Sequence, residues 1–506
     1  MAKRRGRSAR VRDRAAARSA GSGAGAGIFH RRIPPYEMVS DRILKAIHDQ
    51  SLSLLEDIGI EFRDEPALAS WRDAGADVTG ERVRIPRDLL LEKVSLAPSE
   101  YVQQARNAAR AVTVGGDHMV FSPVYGPPFV LDLDGMRRYA RLEDLEVFIK
   151  LAYMLPALNH SGGPICEPVD VPVAMRHLEI TYAHMRWSDL PFMGAVTAGS
   201  RAEDCLAMCR ILFGAAFVEN NVVMTSLVNC NSPLVWDATM LEALRTYAAA
   251  GQAVIIAPFL MQGASTPSTM AGVLAQNNAE ALAAIAYAQL VRPGAPMVYG
   301  SSGTTVSMQT GAPMNATAEA QFLAYTGGAM GRRYGLPTRL GGMRTSSPSP
   351  DAQAAYESSQ SMLAAVLAGG HFIVHSAGWL EGGLSACYAK FLMDADQTII
   401  LQRLAGGFEI SEEAFAMDAF QEVGPGGQFF GCGHTQRHFE DIFFMPETSY
   451  FGTYEQWQAE GERDAAVRAR SLVKQKLNQY EPPPLDPGID EALRDFIARR
   501  RDELVV

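Results

Sequence analysis

Four histidines form two pairs with a four-residue spacing, which on a helix brings both imidazoles to one face. His434 and His438 follow Cys432 near the C-terminus, whereas His371 and His375 lie in an apolar, strand-like run. Residues four apart on a strand stand about 13 Å apart, too far for one metal. The sequence has neither a His-Glu-x-x-His motif nor paired Cys-x-x-Cys motifs. We expect hydrogen-bonded histidines and no metal; a zinc site is the alternative.

The ends of the short apolar runs carry a second set of candidates, which are aromatic. Rings around a pocket bind a quaternary ammonium by cation–π attraction, although each ring alone is typical of a packed core. Acids are few at these ends, which argues against a paired-carboxylate hydrolase. The segment 299–303 does not match a serine-nucleophile turn. The rings are Tyr125, Phe129, Phe192, Trp236, Phe259, Tyr299 and Trp379.

A repeating pattern positions these groups: a short apolar run, then a longer segment of helical period, from about His118 onward. Runs that are apolar throughout are typical of parallel strands buried on both faces. Eight such units predict a (β/α)8 TIM barrel, with its active site at the C-terminal ends of the strands. A doubly wound sheet is the alternative, but residues 122–126 form no Gly-rich phosphate turn. The predicted strands are Met119–Tyr125, Ala157–Gly163, Pro191–Thr197, Asn221–Asn229, Ala253–Phe259, Pro296–Ser301, Pro337–Gly342 and His371–Ala377.

Composition shifts divide the chain into four parts. Residues 1–28 hold Lys3 and seven arginines among small residues, and from this composition we predict a disordered basic tail over residues 1–33. The twin arginine Arg4-Arg5 leaves a targeting signal as the alternative. Residues 34–117 have a helical period, residues 118–405 form the predicted α/β barrel, and residues 406–506 are expected to pack on it.

Charge and cysteine content exclude several classes of function. The 506 residues carry a net charge of -10, which disfavours nucleic acid as a partner. We predict no membrane span, because no apolar run is long enough. Six scattered cysteines do not make a disulfide framework, so we expect a reducing, cytoplasmic location.

The chain carries an ordered series of short motifs: 54–60, Gln276–Glu280, Tyr299–Gly303, Tyr334–Pro337, Pro350–Gln353 with Glu357, His375–Gly382, Val423–Gly427, His434-Thr435 and His438-Phe439. From about residue 34 to 480, this series resembles the trimethylamine methyltransferase (MttB-like) superfamily, whose fold is a TIM barrel. Ordinary residues, Gly341-Gly-Met-Arg344, stand where that family places pyrrolysine. The chain therefore resembles the non-pyrrolysine branch, whose members act on quaternary amines such as glycine betaine.

The resemblance implies an enzyme that passes a methyl group from a methylated amine to the cob(I)alamin of a separate corrinoid protein. No tightly bound cofactor is then expected. A quaternary ammonium already carries the charge that makes its amine a leaving group, so the enzyme must hold the N–CH3 bond in line with the nucleophile and exclude water. A non-catalytic osmolyte-binding barrel and a zinc-dependent methyltransferase are the alternatives.

Within this resemblance we assign roles to residues at the predicted strand ends. Tyr125, Tyr299 and Trp379 are candidates for an ammonium cage. His375 is expected to hydrogen-bond the substrate. Arg344 would clamp a substrate carboxylate, since a guanidinium binds that group bidentately. The alternative for Arg344 is a structural surface arginine.

Two helical acids, Glu280 and Glu357, are expected to orient groups behind the residues that touch substrate, with a purely structural role as the alternative. The segment 345–350 departs from the acidic, Lys-bearing turn that is usual in the family, and Asp396 is what remains of another family acid. His434 and His438 are expected to be structural, with docking of the corrinoid protein as the alternative. A barrel of this size is also expected to form a homo-oligomer.

Overall fold

The structure is a computed structural model and describes residues 28–504. Most of the predicted basic tail, residues 1–27, lies outside this range. Its last part is structured, because Phe29–His30 form a strand antiparallel to the strand His118–Phe121. Phe29 also packs edge-on against Phe121, with ring centroids 5.7 Å apart. The contact buries apolar surface that a tail extending to residue 33 would leave in water.

The N-terminal region mixes helices with strands, rather than being helical as the sequence predicted. Its helices begin at recognisable signals: Asp64 accepts a hydrogen bond from the Ala67 amide, with Pro66 inside the first turn. Its elements are β1 (Phe29–His30), α1 (Asp41–Ser53), β2 (Ile60–Phe62), α2 (Glu65–Asp73), β3 (Asp77–Thr79), β4 (Arg82–Arg84), α3 (Arg87–Val94), β5 (Glu100–Gln103) and β6 (Val112–Gly115).

The central region alternates strands with helices, as predicted. Its elements are β7 (His118–Phe121), β8 (Phe129–Leu131), β9 (Arg137–Tyr139), α4 (Leu142–Met154), α5 (Arg176–Trp187), β10 (Phe192–Met193), α6 (Gly199–Phe213), α7 (Ala215–Asn220), β11 (Met224–Val228), β12 (Val235–Trp236), α8 (Ala238–Ala249), β13 (Ala253–Ile256), β14 (Phe259–Gln262), α9 (Met270–Val291), β15 (Met297–Gly300), β16 (Ser302–Val306), β17 (Pro313–Met314), α10 (Ala318–Tyr334), β18 (Thr338–Gly341), α11 (Ala352–Leu367), β19 (Phe372–Val374), β20 (Trp379–Leu380), β21 (Ser385–Cys387) and α12 (Tyr388–Gly406).

The main sheet has eight strands in the order β1-β7-β19-β18-β15-β13-β11-β10, and all its pairs except β1–β7 are parallel. The last strand, β19, pairs with the first of the parallel series, β7, with Phe372 opposite Val120. Alternate residues divide between two buried faces, which explains runs that are apolar throughout. The inner face carries a cluster that includes Val120, Ile255, Val298, Phe372 and Val374.

The predicted strand Ala157–Gly163 is wrong, because this segment is irregular. It still lies between β7 and β10. The Asn159 side chain accepts a hydrogen bond from the Phe121 amide and donates one to the Met119 carbonyl, while Ser161 N donates to Pro191 O and Met193 N to Gly162 O. A side chain replaces backbone pairing here because β1 occupies the start of this edge of β7. The left-handed backbone of Gly162, at φ 86°, also breaks the strand.

Smaller sheets cover both ends of the main sheet. The β5–β6 hairpin closes the N-terminal end, where Tyr101, Val112 and Val114 join the inner cluster. At the C-terminal end, the connections after β13 and β15 form the sheet β14-β16-β17, and those after β19 and β7 form β20-β21-β8-β9. The candidate residues therefore lie among these added strands.

The C-terminal segment consists of α13 (Glu412–Phe415), α14 (Met417–Val423), α15 (Gly433–Ile442), α16 (Tyr454–Ala459), α17 (Ala465–Asn478) and α18 (Pro487–Leu504). Helix α17 packs on α12 and α4, and α18 packs on α6 and α5. Leu493 and Ile497 of α18 are buried in the largest core cluster. None of the helices in the range 28–504 combines the length and the apolar character that crossing a bilayer requires.

Candidate functional site

A buried arginine that sequence analysis did not single out lies at the centre of the site. Arg339 is on β18, and its backbone partner across the sheet is Phe372 of the inner cluster. Its neighbour Leu340 packs on the outer face. Because side chains alternate along a strand, Arg339 belongs to the inner face. Its Nη2 donates a hydrogen bond of 3.1 Å to Nε2 of His375.

His375 follows β19 and has a left-handed backbone, at φ 66°. A non-glycine residue in this region is strained, and such strain is concentrated at functional sites. The ring stands edge-on to Trp379, with centroids 4.3 Å apart. Burial holds the pKa of His375 well below its usual value. The imidazole is therefore neutral, and its Nδ1 carries a proton because Nε2 accepts from Arg339.

Arg344 lies in the connection after β18 and folds back over Gly341, where a side-chain carbon would stand 2.7 Å from its Nε. Its Nη1 donates to Gly303 O at 3.1 Å and to Ser302 Oγ at 3.3 Å. The residue is only 4% exposed, so the interpretation as a surface arginine is wrong.

The two guanidinium groups give the site an uncompensated positive charge. Burial lowers the pKa of Arg339 to about 9 and that of Arg344 to about 10, so both remain charged at neutral pH. Within residues 28–504, neither arginine forms an ion pair with a carboxylate. The Nε atoms of both and Nδ1 of His375 are buried without a hydrogen-bond partner in that range. Such a group of donors matches the needs of an anion.

Trp379 is held beside this cluster by the segment 345–350. Its Nε1 donates to Thr345 O at 3.0 Å. Glu357 of α11 accepts from Thr345 Oγ1 at 2.6 Å and from the Ser346 amide at 2.7 Å. Glu357 thus holds residues 345 and 346, and the carbonyl of Thr345 in turn holds the indole of Trp379.

Of the two tyrosines predicted for the cage, only Tyr125 lies near the inner cluster. It packs against that cluster, and a side-chain carbon on Gly163 would stand 2.8 Å from its ring. Tyr299 is on the opposite face of β15 from Val298. Its hydroxyl donates to Asn278 Oδ1 at 3.0 Å, among the helices outside the sheet. The structure therefore does not bring Tyr299 to the other candidates, because strand alternation turns it outward.

Glu280 of α9 is fully buried and shapes the connection after β11. It accepts from Ser232 Oγ at 2.6 Å, from Leu234 N at 2.8 Å and from Gln276 Nε2 at 2.8 Å. Burial raises its pKa, and the three donors oppose this increase. Two of these three contacts are with the loop 232–234, so Glu280 holds the backbone of that loop in place.

A buried ion pair beneath the site was also missed. Lys390 Nζ lies 2.8 and 2.7 Å from the carboxylate oxygens of Asp394 and donates to Met343 O at 3.3 Å. Asp394 accepts from the Gly378 amide at 2.8 Å. The pair thus joins the loops that carry Arg344 and Trp379. The signal available in the sequence was a lysine and an aspartate four residues apart in a segment of helical period.

The histidines considered for metal binding make hydrogen bonds or ring contacts with neighbouring residues. His371 Nδ1 accepts from the Thr338 amide at 2.9 Å, and its Nε2 donates to Gly116 O at 3.0 Å. His434 and His438 contact each other on α15, far along the chain from the strand ends. Across residues 28–504 there is no cluster of three or more His, Cys, Asp or Glu side chains suited to a metal ion.

Comparison with known proteins bears on the whole chain. Residues 3–505 match the trimethylamine methyltransferase (MTTB) family. The chain is 39% identical over 473 residues to the glycine betaine methyltransferase of Desulfitobacterium hafniense (strain Y51). The matched stretch covers 93% of this chain and 98% of that protein. It is 28% identical to the proline betaine:corrinoid methyltransferase of Eubacterium limosum, over 80% of this chain and 86% of that one.

Among solved structures, the fold is similar to that of the monomethylamine methyltransferase of Methanosarcina barkeri. The TM-score is 0.51 at 12% sequence identity, over 90% of each chain. This likeness concerns the fold alone, and it agrees with an α/β architecture. The family match covers nearly the full length and confirms the resemblance read from the motifs. The chain therefore belongs to the trimethylamine methyltransferase (MTTB) family and is a methyltransferase.

Proposed function

We propose that this methyltransferase moves a methyl group from a quaternary amine that carries a carboxylate, a betaine, to the cob(I)alamin of a separate corrinoid protein. The observation that carries the proposal is the buried pair Arg339 and Arg344, which lacks a carboxylate partner in residues 28–504. A substrate carboxylate would supply the missing negative charge. Relatives named for glycine betaine and for proline betaine act on molecules with this combination of groups.

We further infer that the main sheet closes into a (β/α)8 barrel. The pairing of β19 with β7 joins the two ends of the strand series. The segment 159–162 bridges the remaining gap, through the Asn159 side chain to β7 and through backbone bonds to β10. In such a barrel the C-terminal ends of the strands surround one mouth, where substrate binds.

The chemistry asked of the protein is mainly positioning. A quaternary nitrogen leaves as a neutral amine without a proton donor, which fits a site whose histidine is neutral. The corrinoid, when its partner protein presents it, supplies the cobalt nucleophile that accepts the methyl group. The residues of this chain bind the carboxylate, hold the ammonium against rings and keep water from the N–CH3 bond.

The rings at the site suit the ammonium end of such a substrate. Trp379 is locked by its hydrogen bond to Thr345 O and by the edge of His375. Tyr125 borders the inner cluster. A cation over indole or phenol faces is attracted by the ring quadrupole, most strongly where water is excluded. We therefore keep Trp379 and Tyr125 as the ammonium cage.

The test follows methylation of free cob(I)alamin by its absorbance change, with glycine betaine, tetramethylammonium and trimethylamine as donors. We expect turnover with glycine betaine and none with trimethylamine. Tetramethylammonium, which lacks the carboxylate, should react poorly because the arginines gain nothing from it. Betaine binding by calorimetry without turnover would indicate a non-catalytic binder, and equal rates with both quaternary amines would contradict the role of the arginines.

We also infer where the corrinoid protein docks and where in the cell the protein acts. A corrinoid protein must reach the strand ends, so docking is expected among β14-β16-β17 and β20-β21-β8-β9. The small number of cysteines supports the cytoplasmic location.

A further inference from the structure

Residues 407–446, which we name the arm, carry large apolar side chains that the described chain leaves uncovered. Among the arm side chains that the structure describes, only Ala419 and Cys432 are buried. Eleven large apolar side chains of the arm are between 41% and 90% exposed: Phe408, Ile410, Phe415, Met417, Phe420, Phe429, Phe430, Phe439, Ile442, Phe443 and Met445. An accumulation of this kind on one segment marks an interaction surface.

The exposed area is large enough for a stable protein–protein interface. A whole aromatic side chain buries roughly 150–250 Å², so the eleven partly exposed side chains present on the order of 1,000 Å² of apolar surface. The largest apolar patch of an ordinary monomer is roughly 300–600 Å². Each partner in a standard interface contributes about 800 Å².

The arm makes little contact with the rest of its own chain. Arg403 Nη1 donates to Ile442 O at 2.9 Å, and its guanidinium lies over the Phe444 ring at 5.4 Å. The helices α13, α14 and α15 have 4, 7 and 10 residues. Helices this short are marginal in water unless an apolar face packs on something. A partner that covers the apolar side chains would therefore stabilise the helices of the arm.

The position of the arm argues against the corrinoid protein as the partner that covers it. Helix α12 begins just after β21, at the C-terminal ends of the main strands, and runs back to Gly406. Beside its end, the amide of Arg32 donates to Ala405 O, next to strand β1 at the start of β7. The arm thus leaves from the N-terminal end of the sheet. A corrinoid bound there could not reach the mouth.

The composition of residues 1–27 does not match an apolar surface such as the arm. Residues 1–27 contain only Met1 and Val11 as large apolar residues. Arginine, glycine and alanine cannot bury an apolar surface of this size. A second copy of this chain presents the same apolar area and can bury both arms at once, as a twofold axis allows.

We propose that the arm is the contact through which two copies of this chain associate. The arm carries seven acidic residues against the single base Arg437. Two such arms repel each other, so added salt should strengthen the association. A basic occupant would behave in the opposite way. This distinction separates a second copy from any positively charged partner.

The experiment is sedimentation velocity on the full chain over a concentration series, at low and high salt. The variant Phe408→Ser/Phe430→Ser removes two side chains that are 85% and 90% exposed in a single copy, so folding should tolerate it. We expect the wild type to dimerise and each substitution to weaken dimerisation about 30-fold. Tyr356→Ser, 70% exposed on α11, is the matched control and should change nothing.

Three results would overturn the proposal: a monomeric wild type at tens of micromolar, an unchanged dimer in the double variant, or a dimer that salt weakens. Methylation of free cob(I)alamin by the variant provides a check on folding. If the variant kept its dimer and lost only transfer to a corrinoid protein, the arm would belong to that partner instead.

Discussion

At the scale of single residues, the defining feature of the site is positive charge that no carboxylate neutralises within residues 28–504. Arg339 and Arg344 are buried, charged and unpaired by carboxylates within residues 28–504, and His375 holds a strained backbone beside them. A fold gains no stability from such a group. Its presence indicates that the energy is recovered when an anion binds.

Arg339→Met should separate binding from stability. We expect the affinity for glycine betaine to fall roughly 10- to 100-fold, because a charge-assisted hydrogen bond to the carboxylate is lost. The melting temperature of the free protein should rise, since an unpaired buried charge is removed. Calorimetry and thermal unfolding measure the two effects, with tetramethylammonium affinity as the control. Loss of stability together with unchanged betaine affinity would make Arg339 a structural residue.

Tyr299→Phe should have the opposite effects: it should lower the stability of the protein and leave betaine binding unchanged. The hydroxyl bonds to Asn277 and Asn278 outside the sheet, so its removal should cost about 1–2 kcal/mol of the free energy of unfolding. The KM for glycine betaine should stay unchanged. A large increase in KM would return Tyr299 to the ammonium cage.

At the scale of elements, the loops after β18 and β19 are fixed from behind by acids. Glu357 holds residues 345–346, and the Lys390–Asp394 pair joins Met343 to Gly378. Both devices act through backbone groups. They position Arg344 and Trp379 without touching substrate.

Glu357→Gln tests this positioning. The amide keeps one acceptor oxygen in place of a carboxylate that serves Thr345 and Ser346. We expect kcat with glycine betaine to fall several-fold, about what a displacement of a fraction of an ångström at the indole costs. Gln360→Ala, an exposed change on the same helix, is the control. Equal kcat in both variants would contradict the positioning role.

Sequence patterns predicted the strands well where both faces of a strand are apolar. They predicted them poorly where a side chain makes the hydrogen bonds that the backbone of a neighbouring strand would otherwise make. Seven of the eight predicted strands are present in the structure. The prediction for Ala157–Gly163 was wrong because the side chain of Asn159, and not an extended backbone, makes the hydrogen bonds to the neighbouring strand. The alternation of side chains along a strand also determines that Tyr299 lies on the outer face of the sheet and Arg339 on the inner face. The run 337–342 was correct, but the face of each residue follows from register, which one sequence does not determine.

At the scale of the whole molecule, buried neutral histidines link stability to pH. His160, His184 and His371 each donate from Nε2 and accept at Nδ1. Burial lowers the pKa of His160 to about 3 and those of His184 and His371 to about 4. Protonation would remove three acceptors from the interior.

The contribution of these neutral histidines to the free energy of unfolding should therefore be complete above the ordinary histidine pKa of about 6.5. It should decline as the pH falls from there towards 4. The unfolded chain takes up protons in this window and the folded chain does not. Urea unfolding between pH 7.5 and 4 measures the slope. His184→Gln, which keeps one donor and one acceptor, should flatten it; an identical slope would exclude His184 as a contributor.

The pairing of β7 with β19 has a consequence for how the protein is made. Val120 cannot pair with Phe372 until that residue, about 250 positions later, has been synthesised. At 5–20 residues per second a ribosome needs roughly 10–50 s to reach it. During that time one edge of β7 has no partner and could pair with another nascent chain. Strand β1, already synthesised, covers the start of the opposite edge. Translation speed and chaperone supply should therefore control the yield of folded protein more than its final stability does.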